Sequence, residues 1–209
     1  QIRSFYAFPD ALDVDRYPLD DGLRGAIIAV REVNLDGVGE RNWANDHAVF
    51  TQNAYAFVSG PIMVAEFTGV EMDHTELGGP STHSRYTGVA TLVAAVLDGA
   101  VAAVGQLLSY LPLHNDEEPP EVPVDDPDDR PTPEAGEVIP PTSTGSYDVR
   151  DVIKALVDDG EHLELRARWA PNVVTTMATM GGMPVGVVAN QPIALAGTLD
   201  IPASQKAAR

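Results

Sequence analysis

The alternation of apolar and polar positions changes period several times along the chain, and each change predicts an element. Residues 25–33 form an apolar, β-branched run closed by Asn34, Asp36 and Gly37, the pattern of a strand followed by a turn. Residues 47–52 and 55–59 read as two further strands, the second running into Gly60-Pro61, where proline at the first helical position predicts a short helix. A loop holding Glu76, Leu77, Gly78 and Gly79 comes next, then a short strand over 88–93. From Asp98, placed as an N-cap, the spacing turns helical: Val101, Val104, Leu108 and Leu111 share a face and Pro112 stands just past the end.

Periodicity then lapses. Residues 114–146 contain eight prolines and many carboxylates, so they read as a linker, either a free tether or a belt laid over the protein. It returns at Asp148, a candidate cap for a helix whose apolar positions Val149, Val152, Ile153, Leu156 and Val157 follow the i, i+3, i+4, i+7, i+8 rule up to Gly160. Residues 162–166, 173–180 and 184–190 are predicted strands, the last two joined by Gly181-Gly182-Met183 as a hairpin, and residues 202–209 start another helix. The organisation is thus α/β: a first unit over 1–113, a linker over 114–146 and the beginning of a second unit over 147–209.

Composition narrows the function. With 31 acidic against 13 basic residues and a net charge of -18, the chain repels phosphate backbones and anionic membranes, which argues against nucleic-acid partners. There is no cysteine, so disulfides, thiolate metal sites and a thiol nucleophile are excluded. No apolar run reaches the roughly 18 residues that a bilayer span needs, and no signal peptide is visible, so the cytoplasm is the expected compartment. The start at Gln1 and the stop at Arg209 inside a predicted helix read as those of a fragment.

Acid–base chemistry finds little support. His47, His114 and His162 lack partners at ligand spacing, and His74 and His83 lack a third ligand, so no metal is expected. The acidic run 125–129 lacks the glycine and terminal glutamate of a calcium loop. No Gly-x-Ser-x-Gly elbow, Walker loop or dinucleotide fingerprint is present. Met177, Met180 and Met183 read as core filling. What remains are Gly78-Gly79 and Ala196-Gly197, whose backbone N–H groups in loops are the type of donor that stabilises an enolate oxygen, although loop glycines also serve positive φ alone.

The order of short motifs carries more. Residues 55–61 (YAFVSGP), 76–79 (ELGG) with His83, 88–90 (GVA), 107–112 (LLSYLP), 126–131 (DPDDRP), 147–150 (YDVR), 156–160 (LVDDG), 171–173 (PNV), 184–192 (PVGVVANQP) and 197–209 (GTLDIPASQKAAR) follow one another as in the β-type carboxyltransferase subunits of acetyl- and propionyl-CoA carboxylases. From about Ala48 to Arg209 the chain resembles that family across the junction of its two crotonase-like domains. The resemblance implies transfer of CO2 from carboxybiotin to the α-carbon of an acyl-CoA, with biotin as the base and two oxyanion holes of backbone N–H groups, which leaves no need for a triad or metal. It implies Ala196 and Gly197 as oxyanion donors, Asn190 and Gln191 as residues that orient their loop, and Gly78, Gly79 and His83 near CoA or a subunit interface. Expected partners are the biotin carboxylase and biotin carboxyl carrier subunits and further copies of the chain, in a hexamer. Residues 1–43 do not share the resemblance, and the Gly-Gly helix starts of both oxyanion holes are not visible. Two alternatives stay open: a non-catalytic assembly subunit of a carboxylase, and the related decarboxylase subunit of a sodium pump.

Overall fold

The computed structural model describes residues 2–9, 26–33, 47–112, 117–127, 129–142 and 145–209, the first two stretches by backbone alone. The chain divides into two compact units, Gln1–Gly105 and Gln106–Arg209. His114 and residues 34–46 lie outside the described residues.

In the first unit, strands β1 (Ile2–Pro9), β2 (Ala26–Val33), β3 (His47–Thr51) and β4 (Ala90–Ala94) form one sheet in chain order. The first three pair antiparallel, whereas β3 and β4 run parallel, as a strand pair joined by a helical crossover must. Phe50, Ala54 and Ala90 form its buried cluster, with Ala48, Ala56 and Val93 against them. The crossover opens with helix α1 (Pro61–Thr68), started by proline and stopped by Gly69 at φ 73°.

Two expectations fail in the crossover. Residues 55–59 are not a strand. The N–H of Ala56 donates to Gly78 O and its carbonyl accepts from His83, while Tyr55 and Phe57 stack on each other and tilt against His74, so backbone and side chains are spent on local contacts instead of a ladder. Nor is the Glu76–Gly79 stretch a loop: Glu76, Leu77 and Gly78 belong to α2 (His74–Gly78) and Gly79 caps it, followed by α3 (Pro80–Thr82) and a π-helical turn (His83–Thr87). A reciprocal capping box starts α2, Asp73 accepting from the N–H of Glu76 and Glu76 accepting from the N–H of Asp73. Helix α4 (Leu97–Ser109) takes Asp98 into its first turn instead of using it as the cap, and buries Ala100, Val104 and Leu107 while Val101 is exposed.

The second unit is built on a meander of β5 (His162–Leu165), β6 (Val173–Met180) and β7 (Met183–Asn190), all antiparallel. Gly181 and Gly182, at φ 59° and 77°, make the two-residue turn between β6 and β7, the positive pair that a tight hairpin demands. Helix α6 (Val149–Leu156) lays Val149 and Ile153, with Val157 beyond its end, on Val174 and Ala178 of β6, and Val185, Val187 and Ala189 of β7 close the cluster. The Asp148 cap is realised, the carboxylate accepting from the N–H of Arg150, and the predicted stripe in part: Val149, Ile153 and Val157 are buried, but Leu156 is exposed and the helix ends there, short of Gly160. A short helix not foreseen in the acidic segment, α5 (Pro133–Glu137), accompanies α6. The described part of that segment is tied to this unit: Val122 N–H donates to Gly182 O, and the Arg130 guanidinium, paired with Asp126 at 2.6 Å, donates to Ala155 O and Val157 O.

Helix α7 (Ile201–Ala208) returns to β6 through a buried lysine, whose Lys206 Nζ donates to Val173 O at 2.6 Å and to Ala170 O at 3.4 Å. Desolvation lowers its pKa to about 8, with the positive charges of Arg150 and Arg166 adding to the effect and that of Glu164 opposing it. Between about 8 and the ordinary 10.5 the unfolded chain therefore holds a proton that the folded chain has released, so stability rises with pH across that window. The unfolding free energy of the wild type relative to that of Lys206→Met is expected to rise by on the order of 2 kcal/mol from pH 8 to pH 10 in urea titrations. A gap independent of pH would show that the ammonium is not destabilised by burial.

Among the described residues no helix is long and apolar enough to cross a membrane, and no group of three or more His, Cys, Asp or Glu is placed to hold a metal ion.

Candidate oxyanion loop

The loop that follows β7 carries the most unusual backbone in the chain. Leu195, Ala196 and Gly197 stand in succession at φ 50°, 51° and 69°. The left-handed region costs a non-glycine residue on the order of 1 kcal/mol or more, so two such residues in a row persist only where the surroundings fix them. They are fixed from several sides. Asn190 Nδ2 donates to Gly197 O at 2.7 Å, Ala194 N–H to Gln191 O, Gly197 N–H to Ala194 O and Thr198 N–H to Leu195 O. Gly197 is itself well suited to the left-handed position, with Asn190 Cβ 3.4 Å from where a side chain would begin.

Beneath the loop lies a polar bracket. Gln191, 1% exposed, accepts from the N–H of Val149 through Oε1 and donates to Asp148 Oδ1 through Nε2 at 2.6 Å, while its backbone N–H donates to Asn172 O. The start of α6, the start of β6 and the end of β7 are thereby joined. Burial opposes ionisation of Asp148, but the N–H of Arg150, the amide of Gln191 and the charge of Arg150 outweigh it and hold the carboxyl below its ordinary value. Arg150 is held in turn by Glu164, Nε to Oε2 at 2.6 Å and Nη2 to Oε1 at 2.8 Å, a two-pronged charged pair. On the far side Asn172 Nδ2 donates to Thr198 O and to Asp200 Oδ1, and the same Asp200 oxygen caps α7 by accepting from Ala203 N–H.

Gly197 N–H is bonded to Ala194 O, whereas no acceptor among the described residues meets the N–H of Ala196. An open N–H on a rigid loop is what an oxyanion hole requires. In the same stretch of chain Ile193, Leu195, Leu199 and Ile201 are more than half exposed.

The expected site residues fall in two groups. Asn190, Gln191, Ala196 and Gly197 come together in the second unit as described. Gly78, Gly79 and His83 come together in the first, with their polar groups engaged: Gly79 N–H donates to Thr75 O, Gly78 O accepts from Ala56 N–H, and the His83 ring is bonded to Thr87 Oγ1 at 2.9 Å and Ala56 O at 2.7 Å. A side chain on Gly78 would run into the Ala56 carbonyl, which accounts for the glycine by packing alone. Asp148 and Asn172 were not among the expected site residues. The first was visible only as a helix cap, and the second bonds to groups 26 and 28 residues away, which no local spacing announces.

Comparison with known proteins adds the family dimension. A sequence model of the carboxyl transferase domain matches residues 42–209, and a model of an uncharacterised protein family, UPF0182, matches residues 1–66. The chain is 40% identical over 157 residues to the propionyl-CoA carboxylase beta chain of Roseobacter denitrificans, covering 75% of this chain and 31% of that one. It is 39% identical over 153 residues to the methylmalonyl-CoA decarboxylase subunit alpha of Veillonella parvula, covering 73% and 30%. The crystal structure of transcarboxylase 12S, a hexamer with hydrolysed methylmalonyl-coenzyme A bound, superposes with a TM-score of 0.73 at 40% identity over 76% of this chain and 31% of that one. The chain spans about a third of the length of the relatives it matches.

Proposed function

Since the chain belongs to the carboxyl transferase domain family and has the crotonase-like fold of that family over the stretch it spans, we propose that it serves carboxyl transfer between biotin and the α-carbon of an acyl-CoA. The observation that carries this reading is the open N–H of Ala196 on a braced left-handed loop. A donor fixed before the reaction costs no reorganisation when charge develops on an oxygen beside it. An N–H without an acceptor among the described residues, on an exposed stretch that also carries Ile193, Leu195 and Leu199, suits an enolate-type oxygen on a partly apolar ligand.

Carboxybiotin, borne by a carrier subunit, would supply the carboxyl group and the base. The residues of this chain do the rest. Ala196 donates its N–H to the oxygen. Gly197 supplies the left-handed backbone and presents its carbonyl to Asn190, which holds the loop in register, and Gln191 ties it to α6 and β6. Gly78, Gly79 and His83 contribute by building the α2–α3 corner, their polar groups being already paired. On this reading residues 1–113 contain the end of an N-terminal carboxyltransferase domain, 114–146 are the connection and 147–209 open the C-terminal domain. Copies of the chain and a biotin carrier are its partners, in a hexamer. The likeness to a decarboxylase subunit favours a neighbouring reading, in which the same loop serves removal of the carboxyl group from methylmalonyl-CoA.

The test is a graft. The Roseobacter beta chain with residues 48–209 of this chain in place of its own matching stretch is expected to carboxylate free biotin at the expense of methylmalonyl-CoA. A graft that folds and assembles but transfers no carboxyl group overturns the reading and favours a role in assembly alone.

A further inference from the structure

Asn172 stands at the start of β6, one residue ahead of Val173, and is 1% exposed. Both partners of its side-chain nitrogen, Thr198 O at 2.6 Å and Asp200 Oδ1 at 3.2 Å, are acceptors, so the orientation of the amide is forced. Its oxygen, also buried, meets no donor among the described residues, so whatever the amide contributes rests on the two bonds it donates. Those bonds fall on the exit of the oxyanion loop: Thr198 directly follows Gly197, and Asp200 starts α7. Asn190, paired with Val173 at the same open end of the hairpin, grips the same loop through Gly197 O. Thr198 carries both links: its carbonyl is held by Asn172, and across its Cα its N–H donates to Leu195 O, which shares a peptide unit with the N–H of Ala196.

We infer that Asn172 is a positioning residue of the oxyanion loop: its amide pins Thr198 and Asp200 and thereby sets the direction of the Ala196 N–H. The inference rests on the reading of Ala196 as the donor, but the pinning itself is a property of the chain alone. Asn172→Asp keeps the shape and removes both donated bonds, setting a carboxylate against two acceptors; Asn172→Ala removes the amide altogether. A control for lost stability is Thr175→Val, which deletes the side-chain bond to Leu165 O in the same sheet without touching the loop.

The experiment is a titration of the full 209-residue chain, labelled with nitrogen-15, with free biotin, followed at the amide signals of Leu195 and Ala196. In the wild type biotin is expected to move the Ala196 signal. In Asn172→Asp and Asn172→Ala both signals are expected at new positions before ligand is added, whereas in Thr175→Val they stay in place. Ala196 and Leu195 signals at wild-type positions in Asn172→Asp would overturn the inference, as would an equal displacement in Thr175→Val. A wild-type chain indifferent to biotin, with the Asn172 variants still displacing the two signals, would instead sink the donor reading and leave the pinning intact.

Discussion

Gly182→Ala is expected to lower the unfolding free energy of the chain by about 3 kcal/mol, whereas Gly186→Ala, four residues along the same hairpin, is expected to leave it unchanged or slightly raised. Three effects coincide at Gly182. Its φ of 77° is strained for any side chain, and a Cβ there would drive into the carbonyl of Val122. Its own N–H and C=O are both committed, the first to Asp158 Oδ2 at 2.8 Å and the second to Val122 N–H at 2.9 Å, so the backbone has no slack in which to move away. Asp158 also accepts from Gly181 N–H; although its burial opposes ionisation, the N–H groups of Gly182 and Gly181, a Thr179 hydrogen bond and the charge of Arg130 outweigh that cost and keep its pKa low. Displacing the turn therefore strains a buried carboxylate and the acidic segment together. Gly186 meets nothing within 4 Å of its would-be Cβ, and replacing a strand glycine reduces the entropy of the unfolded chain. Urea denaturation of the two variants settles the contrast; equal midpoints would mean that the segment around Val122 is not held against the hairpin.

What could be read from the sequence divides along the range of the interactions. The Asp148 cap, the Gly181-Gly182 hairpin and the Val149, Ile153 and Val157 positions of the α6 stripe are local patterns and appear where the spacing predicts them, whereas Leu156 is exposed. Residues 55–59 have the composition of a strand, but the bonds that take them out of a sheet come from Gly78 and His83, more than 20 residues on. The start of α2 is written locally, since Asp73 and Glu76 have the spacing of a capping box, but the glycines that follow have the composition of a loop. The same holds for α4, where the face counted from Val101 is displaced to Ala100, Val104 and Leu107. At the candidate site, Ala196-Gly197 and Asn190-Gln191 were singled out through an ordered set of motifs. Which N–H is open was beyond reach, because it depends on three consecutive left-handed residues, two of them without glycine's freedom. Asn172 was legible only as one letter of a motif.

The claim at the centre is that the N–H of Ala196 stabilises the oxygen on which charge develops. Its most direct test alters that one atom. Incorporating lactic acid at position 196 of the grafted beta chain replaces the N–H by an ester oxygen and keeps the methyl group and the loop's covalent path. Preorganised donors of this type contribute through the transition state, so the effect belongs in kcat more than in KM. The account predicts that kcat for methylmalonyl-CoA-dependent carboxylation of biotin falls about 10²–10³-fold, with KM for either substrate changed little. An unchanged kcat in the ester-bearing protein would contradict it, and would leave the loop a braced turn with no part in the chemistry.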